Sequence, residues 1–361
     1  RLGDNLFSES IIAVDIETGQ RVWHFQAVHH GLWDWDFPTH PNLLDITVDG
    51  RDIHALAQVS KQGFTYVFDR VTGDPVWPIE ERPVPQETNL PGEVPSLTQP
   101  FPTKPPPFEY QGVTVEDLVD FTPEIRAMAE EAVRDFTLGP IFTPPLRTVE
   151  GETQGVIQRP AIDGGANWGG AGVDPETGIL YVPSQNRSSV LHFYTPDEST
   201  GGTMTITQAA FGSGRQPALR QGLPLFKPPY SRMTAVDLNA GENAWMQPNG
   251  DGNRLRNHPM LRDLDLPPLG GDGRGGPVVT KTLLVSALTA GGTDDGPRLV
   301  ARDKTTGVIV GSIDLPSGAI GTPMTYMVDG RQYIALTVGG GPRLVAFALP
   351  ASAEASAGQA R

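Results

Sequence analysis

Cysteine is absent from the 361 residues of this sequence. The absence excludes disulfide bonds, cysteine-ligated zinc, c-type haem attachment and thiol nucleophiles, and it leaves the redox compartment open. Long hydrophobic runs are also missing, since no stretch reaches the roughly 18 consecutive apolar residues of a membrane-spanning helix. Basic residues are scarce, with 27 Lys and Arg against 42 Asp and Glu. The net charge of −15 argues against nucleic acid or an anionic membrane surface as the partner.

Glycine and proline, by contrast, are abundant, with 42 and 35 copies, and apolar strand-like runs recur between them. This combination is typical of dense turns in a folded protein rather than of disorder. One unit repeats: a strand, a turn of the Asp-x-x-Thr-Gly type and a second strand. Three clear copies are AVDIETGQRVW at 13–23, VFDRVTGDPVW at 67–77 and AVDLNAGENAW at 235–245, and two looser copies are GVDPETGILYV at 172–182 and ARDKTTGVIVG at 301–311.

The chemistry of this turn explains the repeat. The Asp can accept hydrogen bonds from the turn's own backbone, the Gly supplies a positive φ, and the Trp that follows can bury its ring between neighbouring sheets. We therefore predict an all-β protein, a β-propeller of radially repeated sheets with Trp23, Trp77 and Trp245 buried between blades. Unrelated hairpins that share common turn residues are the alternative.

The rest of the chain is organised around this predicted propeller. We expect residues 1–350 to form a single propeller portion, with a Pro-rich insertion at 78–155 and a disordered tail at 351–361. The insertion contains one predicted helix at about 123–136, because Thr122 suits the N-cap and Pro123 the first helical position. Its apolar stripe is Ile125, Met128, Ala132 and Phe136. Residues 200–277 are predicted to be mostly surface loops.

Turn counting brings two chemically useful residues to one edge of a sheet. Residues 43–48, 52–59 and 64–68 are strand-like and are joined by tight turns, so Asp34 and Lys61 lie at the edge opposite the turn at 49–50. By the same argument, Asn167, Trp168 and Asn186 lie opposite the turn at 174–178. His29 and His30 fail as a metal pair because adjacent side chains in an extended segment point to opposite faces; satisfied loop histidines are favoured over a role at the substrate entrance.

Several motifs, taken in order along the chain, resemble the C-terminal part of the quinoprotein dehydrogenases of the membrane-type glucose dehydrogenase group. They are VHHGLWDWDFPTHP, KQGFTYVFDRVTGDPVWP, RPVPQ, IFTPP, NWGGAGVDPETGILYVP, GGPVVT and GTPMTYMVDGRQYIALTVGGG. The resemblance implies an eight-bladed propeller that carries pyrroloquinoline quinone (PQQ) and a divalent cation, usually calcium, on its axis. It also implies that about five of the eight blades are present and that the first three or so are missing.

The resemblance assigns roles to individual residues. Asp34 follows Trp in the family's WDxD motif, which implies the catalytic base and a ligand of the cation, and Lys61 implies a contact to the quinone. Asn167, Trp168 and Asn186 lie in a region that contacts the quinone in the family. These roles meet a physical need, because oxidising an alcohol by hydride transfer requires a base for the hydroxyl proton and positive charge beside the quinone oxygens.

The implied function is oxidation of a sugar, polyol or other alcohol, with electrons passed to ubiquinone in a quinone pool or to a cytochrome. A periplasmic location is implied, with a membrane anchor in the missing N-terminal part as an open option. Asp36 is expected to be structural and to face away from Asp34. Glucose itself is disfavoured because residues 339–341 are three glycines without the His of the family's Gly-Gly-His-Gly segment. The alternatives are a non-catalytic PQQ-like propeller acting as an assembly scaffold and, more weakly, a glycosidase using Asp34 and Asp36.

Overall fold

Antiparallel β-strands dominate the computed structural model, which describes residues 2–194, 207–208, 216–219, 222–271, 273, 275–288, 296–341 and 343–348. The predicted tail at 351–361 lies outside this range. The strands are β1 Ser10–Val14, β2 Arg21–Gln26, β3 Asn42–Val48, β4 Arg51–Val59, β5 Thr65–Asp69, β6 Ile79–Pro83, β7 Thr98–Pro102, β8 Ile157–Gln158, β9 Gly172–Asp174, β10 Ile179–Gln185, β11 Ser189–Val190, β12 Phe193–Tyr194, β13 Thr207–Gln208, β14 Ser231–Asp237, β15 Glu242–Pro248, β16 Val278–Val279, β17 Leu283–Leu288, β18 Arg298–Asp303, β19 Ile309–Asp314, β20 Met324–Val328, β21 Arg331–Val338 and β22 Arg343–Ala348. The helices are α1 Pro123–Val133 and α2 Asn253–Arg256, with a 3₁₀ turn at Val115–Asp117.

We assign five of the sheets to propeller blades: four have three or four strands, and β1-β2 has two. In strand order they are β1-β2, β3-β4-β5, β15-β14-β10-β9, β16-β17-β18-β19 and β20-β21-β22, and β6-β7, β8-β11 and β12-β13 form separate pairs. The predicted β-propeller class is confirmed. One detail is wrong, because the motif copies at 172–182 and 235–245 fall in the same sheet, as the β9–β10 and β14–β15 hairpins. An Asp-Gly turn of this kind suits either hairpin of an antiparallel sheet, so counting turns does not count blades.

Each repeated Trp joins one sheet to the turn of the next. Trp23 Nε1 donates a hydrogen bond to the carbonyl of Arg70 over 3.1 Å, and Trp245 Nε1 donates to the carbonyl of Lys304 over 3.0 Å. The rings cover turn glycines so closely that an added Cβ would lie within 2.8 Å of them: Trp23 covers Gly73, Trp77 covers Gly241 and Trp245 covers Gly307. Trp23 is buried as predicted, whereas Trp77 and Trp245 are only partly buried.

The turn aspartates behave as the sequence predicts. Asp15 Oδ1 accepts hydrogen bonds from Thr18 Oγ1 at 2.7 Å and from the Thr18 amide at 2.8 Å. Asp303 Oδ1 accepts the amide of Thr306 at 2.9 Å and its hydroxyl at 3.0 Å. These bonds favour the charged carboxylate and hold the pKa of both aspartates below the ordinary value.

Helix α1 begins at Pro123 as predicted, and Thr122 Oγ1 caps it by accepting the amide of Ile125 over 3.2 Å. It ends at Val133, three residues short of the predicted end, and Phe136 is buried just beyond it. The helix packs in an apolar cluster with segments from the region predicted as surface loops, including Leu219, Leu223, Leu225, Phe226 and Leu261. That loop prediction is therefore wrong for these leucines, because the helix gives them a partner surface.

Among the described residues, no helix is long and apolar enough to cross a bilayer.

Candidate active site

Asp34 and Lys61 meet at one edge of the β3-β4-β5 sheet, as the turn count predicts. Lys61 follows β4 in the turn to β5, and Asp34 lies in the loop that precedes β3. Lys61 Nζ donates a hydrogen bond to the backbone carbonyl of Asp34 over 3.0 Å and lies 3.3 Å from its Oδ2. The Lys61 side chain is 9% exposed and that of Asp34 is 59% exposed. A buried ammonium group thus holds a carboxylate that remains open to solvent.

Two buried tryptophans explain why Asp34 points outward. Trp33 and Trp35 stack with ring centroids 5.5 Å apart, and both rings meet the edge of Phe142. Trp33 Nε1 donates to the carbonyl of Thr143 over 2.8 Å. Asp34, between these two anchors, has a φ of 60°, a left-handed conformation that is uncommon for a residue with a side chain. The strained backbone turns Asp34 away from the core that holds its neighbours.

Asp36 corrects one prediction. Its Oδ1 lies 2.6 Å from Lys61 Nζ, closer than the carboxylate of Asp34, so it does not face away from the site. The prediction placed Asp36 on the other face of an extended segment, but side chains two residues apart in an extended segment point to the same face. Lys61 contacts both carboxylates.

Glycines allow Lys61 to lie flat against a neighbouring loop. A Cβ on Gly164, which has a φ of 72°, would lie 2.5 Å from Lys61 Cγ. The amide of Gly165 donates to the carbonyl of Lys61 over 3.0 Å, which fixes the turn to the same loop. Glycine is thus required at 164 for both conformation and close approach.

A buried ion pair that sequence reasoning missed supports this turn from below. Glu109 accepts Arg232 Nε over 2.8 Å at Oε1 and Arg232 Nη2 at Oε2, and Ser184 Oγ donates to Oε1 over 2.8 Å. A Cβ on Gly63 would lie 2.7 Å from Glu109 Cβ. The pair ties the insertion to β10 and β14 directly beneath the Lys61 turn. A single Glu in a Pro-rich stretch gives no sequence signal for such a role.

A cleft of about 660 Å³ opens above these residues. Its lining is Asp34, Lys61, Ile162, Asp163, Asn167, Trp168 and Gly169. Trp168 is 82% exposed, so its ring forms an accessible wall. Asn167 shapes the loop, since its Nδ2 donates to the carbonyl of Asp163 and its Oδ1 accepts the amide of Trp168, each over 2.8 Å. The structure thus brings together Asp34, Lys61, Asn167 and Trp168.

Asn186 does not line this cleft. It is buried, its Oδ1 accepts Arg159 Nε over 2.9 Å, and its Nδ2 donates to the carbonyl of Lys227 over 3.0 Å. The Arg159 guanidinium in turn lies over the rings of Tyr110 and Phe226, and burial lowers the pKa of Arg159. In this structure the Asn186 amide positions a buried cation, and its contact with a quinone stays a prediction.

The two histidines before the Asp34 loop bind carboxylates. His29 Nε2 lies 3.0 Å from Glu81 Oε1, and His30, which is buried, has its Nε2 2.7 Å from Glu93 Oε2. These contacts tie the loop to β6 and to the segment before β7, as expected of satisfied loop histidines. Within the part of the chain that the structure describes, no group of three or more His, Asp or Glu residues could hold a metal ion.

Comparison with known proteins identifies the family of the chain. Residues 1–334 match the family model described as PQQ: glucose/ethanol/alcohol dehydrogenase, beta-propeller domain. The chain is 31% identical over 379 aligned positions to the glycerol dehydrogenase large subunit of Gluconobacter oxydans (strain 621H), covering 96% of this chain and 50% of that protein. It is 29% identical to quinoprotein glucose dehydrogenase A of Acinetobacter calcoaceticus, covering 95% of this chain and 44% of that protein. The predicted resemblance is confirmed.

A solved structure supports the fold. The quinohemoprotein alcohol dehydrogenase from Comamonas testosteroni superposes with a TM-score of 0.54 at 22% identity, over 94% of this chain and 40% of that one. The chain thus spans about half the length of the curated relatives it matches.

Proposed function

Because the chain belongs to the PQQ-dependent glucose/ethanol/alcohol dehydrogenase β-propeller family, we propose that it forms part of the catalytic centre of a dehydrogenase that oxidises an alcohol, polyol or sugar. The observation that supports this most strongly is the contact of Lys61 Nζ with Asp34 on the wall of an open cleft. A scaffold propeller would need its turn repeats but not a cation and a solvent-open carboxylate at one edge.

The cleft has features that suit PQQ, a planar and anionic molecule. The exposed ring of Trp168 offers a flat apolar surface, Lys61 offers a positive charge, and Asn167 fixes the loop between them. Bound PQQ would supply the two-electron oxidising chemistry. The chain's own residues supply binding and proton handling, which are the protein's part in cofactor catalysis.

Asp34 is the proposed general base. Its carboxylate is open to the cleft, and its backbone and Oδ2 are fixed by Lys61, so one carboxylate oxygen can receive the hydroxyl proton of the substrate. Lys61 orients this base and places a positive charge where negative charge develops during oxidation. Trp33 and Trp35 keep the base in place by burying both sides of its loop.

The described residues supply only part of a calcium site. The described residues assemble no group of three or more acidic or imidazole side chains, and of the cation ligands only Asp34 was predicted here. We propose Asp34 as one calcium ligand, with further ligands required from elsewhere.

Substrate, electron acceptor and location follow from relatives as proposals. The relatives are named for glycerol and for glucose. The glycines at 339–341 leave no polar side chain there for a sugar hydroxyl, so we favour a polyol or simpler alcohol. Ubiquinone or a cytochrome in the periplasm is the proposed acceptor.

The test uses the intact protein, expressed with any further segment that its reading frame encodes. The PQQ-free protein is titrated with PQQ in the presence of calcium, and dye reduction is then measured with glycerol and glucose. Replacing Lys61 with Met should weaken PQQ binding at least about tenfold, because a charge-assisted hydrogen bond contributes roughly 1.5 to 3 kcal/mol. Lys281→Met, at an exposed lysine, is the control, and circular dichroism verifies that both variants fold. Failure of the wild-type protein to bind PQQ or to reduce the dye would refute the proposal.

A further inference from the structure

One of the repeated hairpins lacks its tryptophan. In the β14-β15 hairpin, Trp245 pairs with Ala235 and a register shift follows the alanine, and the β1-β2 hairpin has the same arrangement at Trp23. In the β18-β19 hairpin, the same pairing and the same shift join Ala301 to Gly311. Gly311 therefore occupies the position from which a Trp covers a turn of the next sheet.

The local backbone does not require glycine at 311. Its φ lies outside the left-handed region, and a Cβ added to it would meet no described atom within 4 Å. Gly73 and Gly307 differ in both respects, because each has a positive φ and lies against a Trp ring. A glycine inside a strand weakens that strand, and it often marks a place where a ligand approaches the backbone closely.

A cavity of about 590 Å³, here called the junction cavity, has Gly311 in its lining. It lies between the β16-β17-β18-β19 sheet and the β20-β21-β22 sheet, and it shares no lining residue with the candidate active cleft. Its volume is within the range of about 300 to 1,000 Å³ that is typical of small-molecule sites. Its larger apolar lining residues belong to the cluster that joins these two sheets: Leu283, Val285, Leu299, Ile334 and Phe347.

Another junction between sheets shows what such a space can hold. The ring of Trp23 lies against Phe68, in the third strand of the next sheet, with ring centroids 6.0 Å apart. Phe347 likewise lies in β22, the third strand of the sheet that follows Gly311, and it lines the junction cavity. The described chain thus supplies an aromatic surface at this junction, but position 311 supplies no ring to pack on it.

The tryptophan junctions also define the polar group that a ligand would carry. Trp23 and Trp245 each donate their ring N–H to a backbone carbonyl of the next sheet. The junction cavity is lined by Thr282 and Ser312, whose hydroxyl oxygens are possible acceptors for a ring N–H. A buried charge without a partner would be costly between apolar walls, so an uncharged ring is favoured.

We propose that the junction cavity binds an uncharged planar aromatic molecule of one or two rings, which takes the place of the missing tryptophan ring. The ligand packs between the two sheets and joins them, as Trp23 and Trp245 do at their junctions. This site is independent of the proposed dehydrogenase function, because it uses none of the residues of the candidate active cleft.

The first experiment is calorimetry on the intact protein, with indole as the probe and cyclohexanol as an uncharged ring that is not planar. Indole should bind the wild type at least about tenfold more tightly than cyclohexanol does. Gly311→Trp should abolish indole binding because its own ring fills the space. Val310→Trp is the matched control, since Val310 is exposed and does not line the cavity, and it should bind indole like the wild type.

The second experiment measures melting temperatures. Without ligand, Gly311→Trp should melt at a higher temperature than the wild type, and indole should raise the melting temperature of the wild type but not that of Gly311→Trp. If Gly311→Trp does not fold, Gly311→Leu replaces it and should bind indole at least about tenfold more weakly than the wild type.

Three results would overturn the proposal. They are a wild type that binds no indole, indole binding that survives in Gly311→Trp, and equal affinity for indole and cyclohexanol. A wild type without indole binding, together with a Gly311→Trp variant that folds but melts at a lower temperature, would show that the intact chain itself fills the junction cavity.

Discussion

The two edges of the blade sheets satisfy their polar groups in opposite ways. At the edge that carries the repeated turns, Asp15 and Asp303 accept hydrogen bonds from their own turns, and a Trp from the previous sheet covers the turn glycine. At the other edge, Lys61 reaches across to the loop that carries Asp34, whose φ is positive and whose carboxylate is open to solvent. Polar groups at the first edge are satisfied mainly within their own turns. Polar groups at the second edge are satisfied by residues of other loops or remain open to the cleft.

The difference teaches where to look for chemistry in a repeat protein. Local rules are obeyed at the edge that carries the repeated turns and broken at the edge that carries the candidate site. The left-handed φ of Asp34 and the close approach of Gly164 to Lys61 disfavour the folded conformation of this loop. Packing of the stacked pair Trp33 and Trp35 helps to offset that cost. Three experiments test this comparison.

The largest expected effect is at Asp34. Asp34→Asn keeps size and most hydrogen bonding but removes the base, so turnover with PQQ bound should fall by about 10²-fold or more. Asp36→Asn should lower turnover less than about tenfold, because Lys61 keeps its contacts with Asp34. Steady-state dye reduction, with bound PQQ and calcium measured for each variant, gives the comparison.

The calcium content of each variant decides how a loss of turnover is interpreted, because Asp34 is also a proposed calcium ligand. Loss of turnover in Asp34→Asn at full PQQ and calcium occupancy supports the assignment of Asp34 as the general base. Near-normal turnover in Asp34→Asn, together with a large loss in Asp36→Asn, would transfer the role of base to Asp36, whose Oδ1 lies 2.6 Å from Lys61 Nζ.

The same contrast decides what the sequence could predict. Turn signals and alternation placed Asp34 and Lys61 at one edge because both depend on short-range backbone rules. The prediction for Asp36 was wrong because side chains two residues apart in an extended segment point to the same face, which brings Asp36 to Lys61 together with Asp34. Glu109 and Arg232 are 123 residues apart, so no local pattern could show that they pair. The Asn186 prediction placed the residue near the correct edge without the buried Arg159 that binds its amide.

An intermediate effect is expected at the turn glycines. Gly307 and Gly330 both have a φ of 73°, but a Cβ on Gly307 would lie 2.6 Å from the Trp245 ring, whereas one on Gly330 meets nothing within 4 Å. Alanine at either position has the same backbone strain, of about 1 kcal/mol. Gly307→Ala should therefore cost about 1 to 3 kcal/mol more, from overpacking against Trp245.

Urea unfolding of the two glycine variants measures the difference directly, because the matched φ cancels the backbone contribution. Equal losses of stability would show that the Trp does not dock on the turn and that the turn edge is not joined between sheets in the way described here.

The smallest effect is the pH dependence of a turn aspartate. Hydrogen bonds from the Thr306 amide and hydroxyl hold the pKa of Asp303 below its ordinary value of 3.8. A lowered pKa in the folded state means that the stabilisation is present above pH 3.8 and is lost as the pH falls through the lower, folded-state pKa. Asp303→Asn should thus lower the melting temperature slightly near neutral pH, and its curve of melting temperature against pH should approach that of the wild type at strongly acidic pH.

Asp329→Asn is the matched control. Asp329 lies in a hairpin turn, but its side chain accepts no hydrogen bond from the described residues, so this substitution should change the melting temperature little at any pH. If the two variants behave alike, Asp303 acts only through its charge, and its hydrogen bonds within the turn do not stabilise the fold.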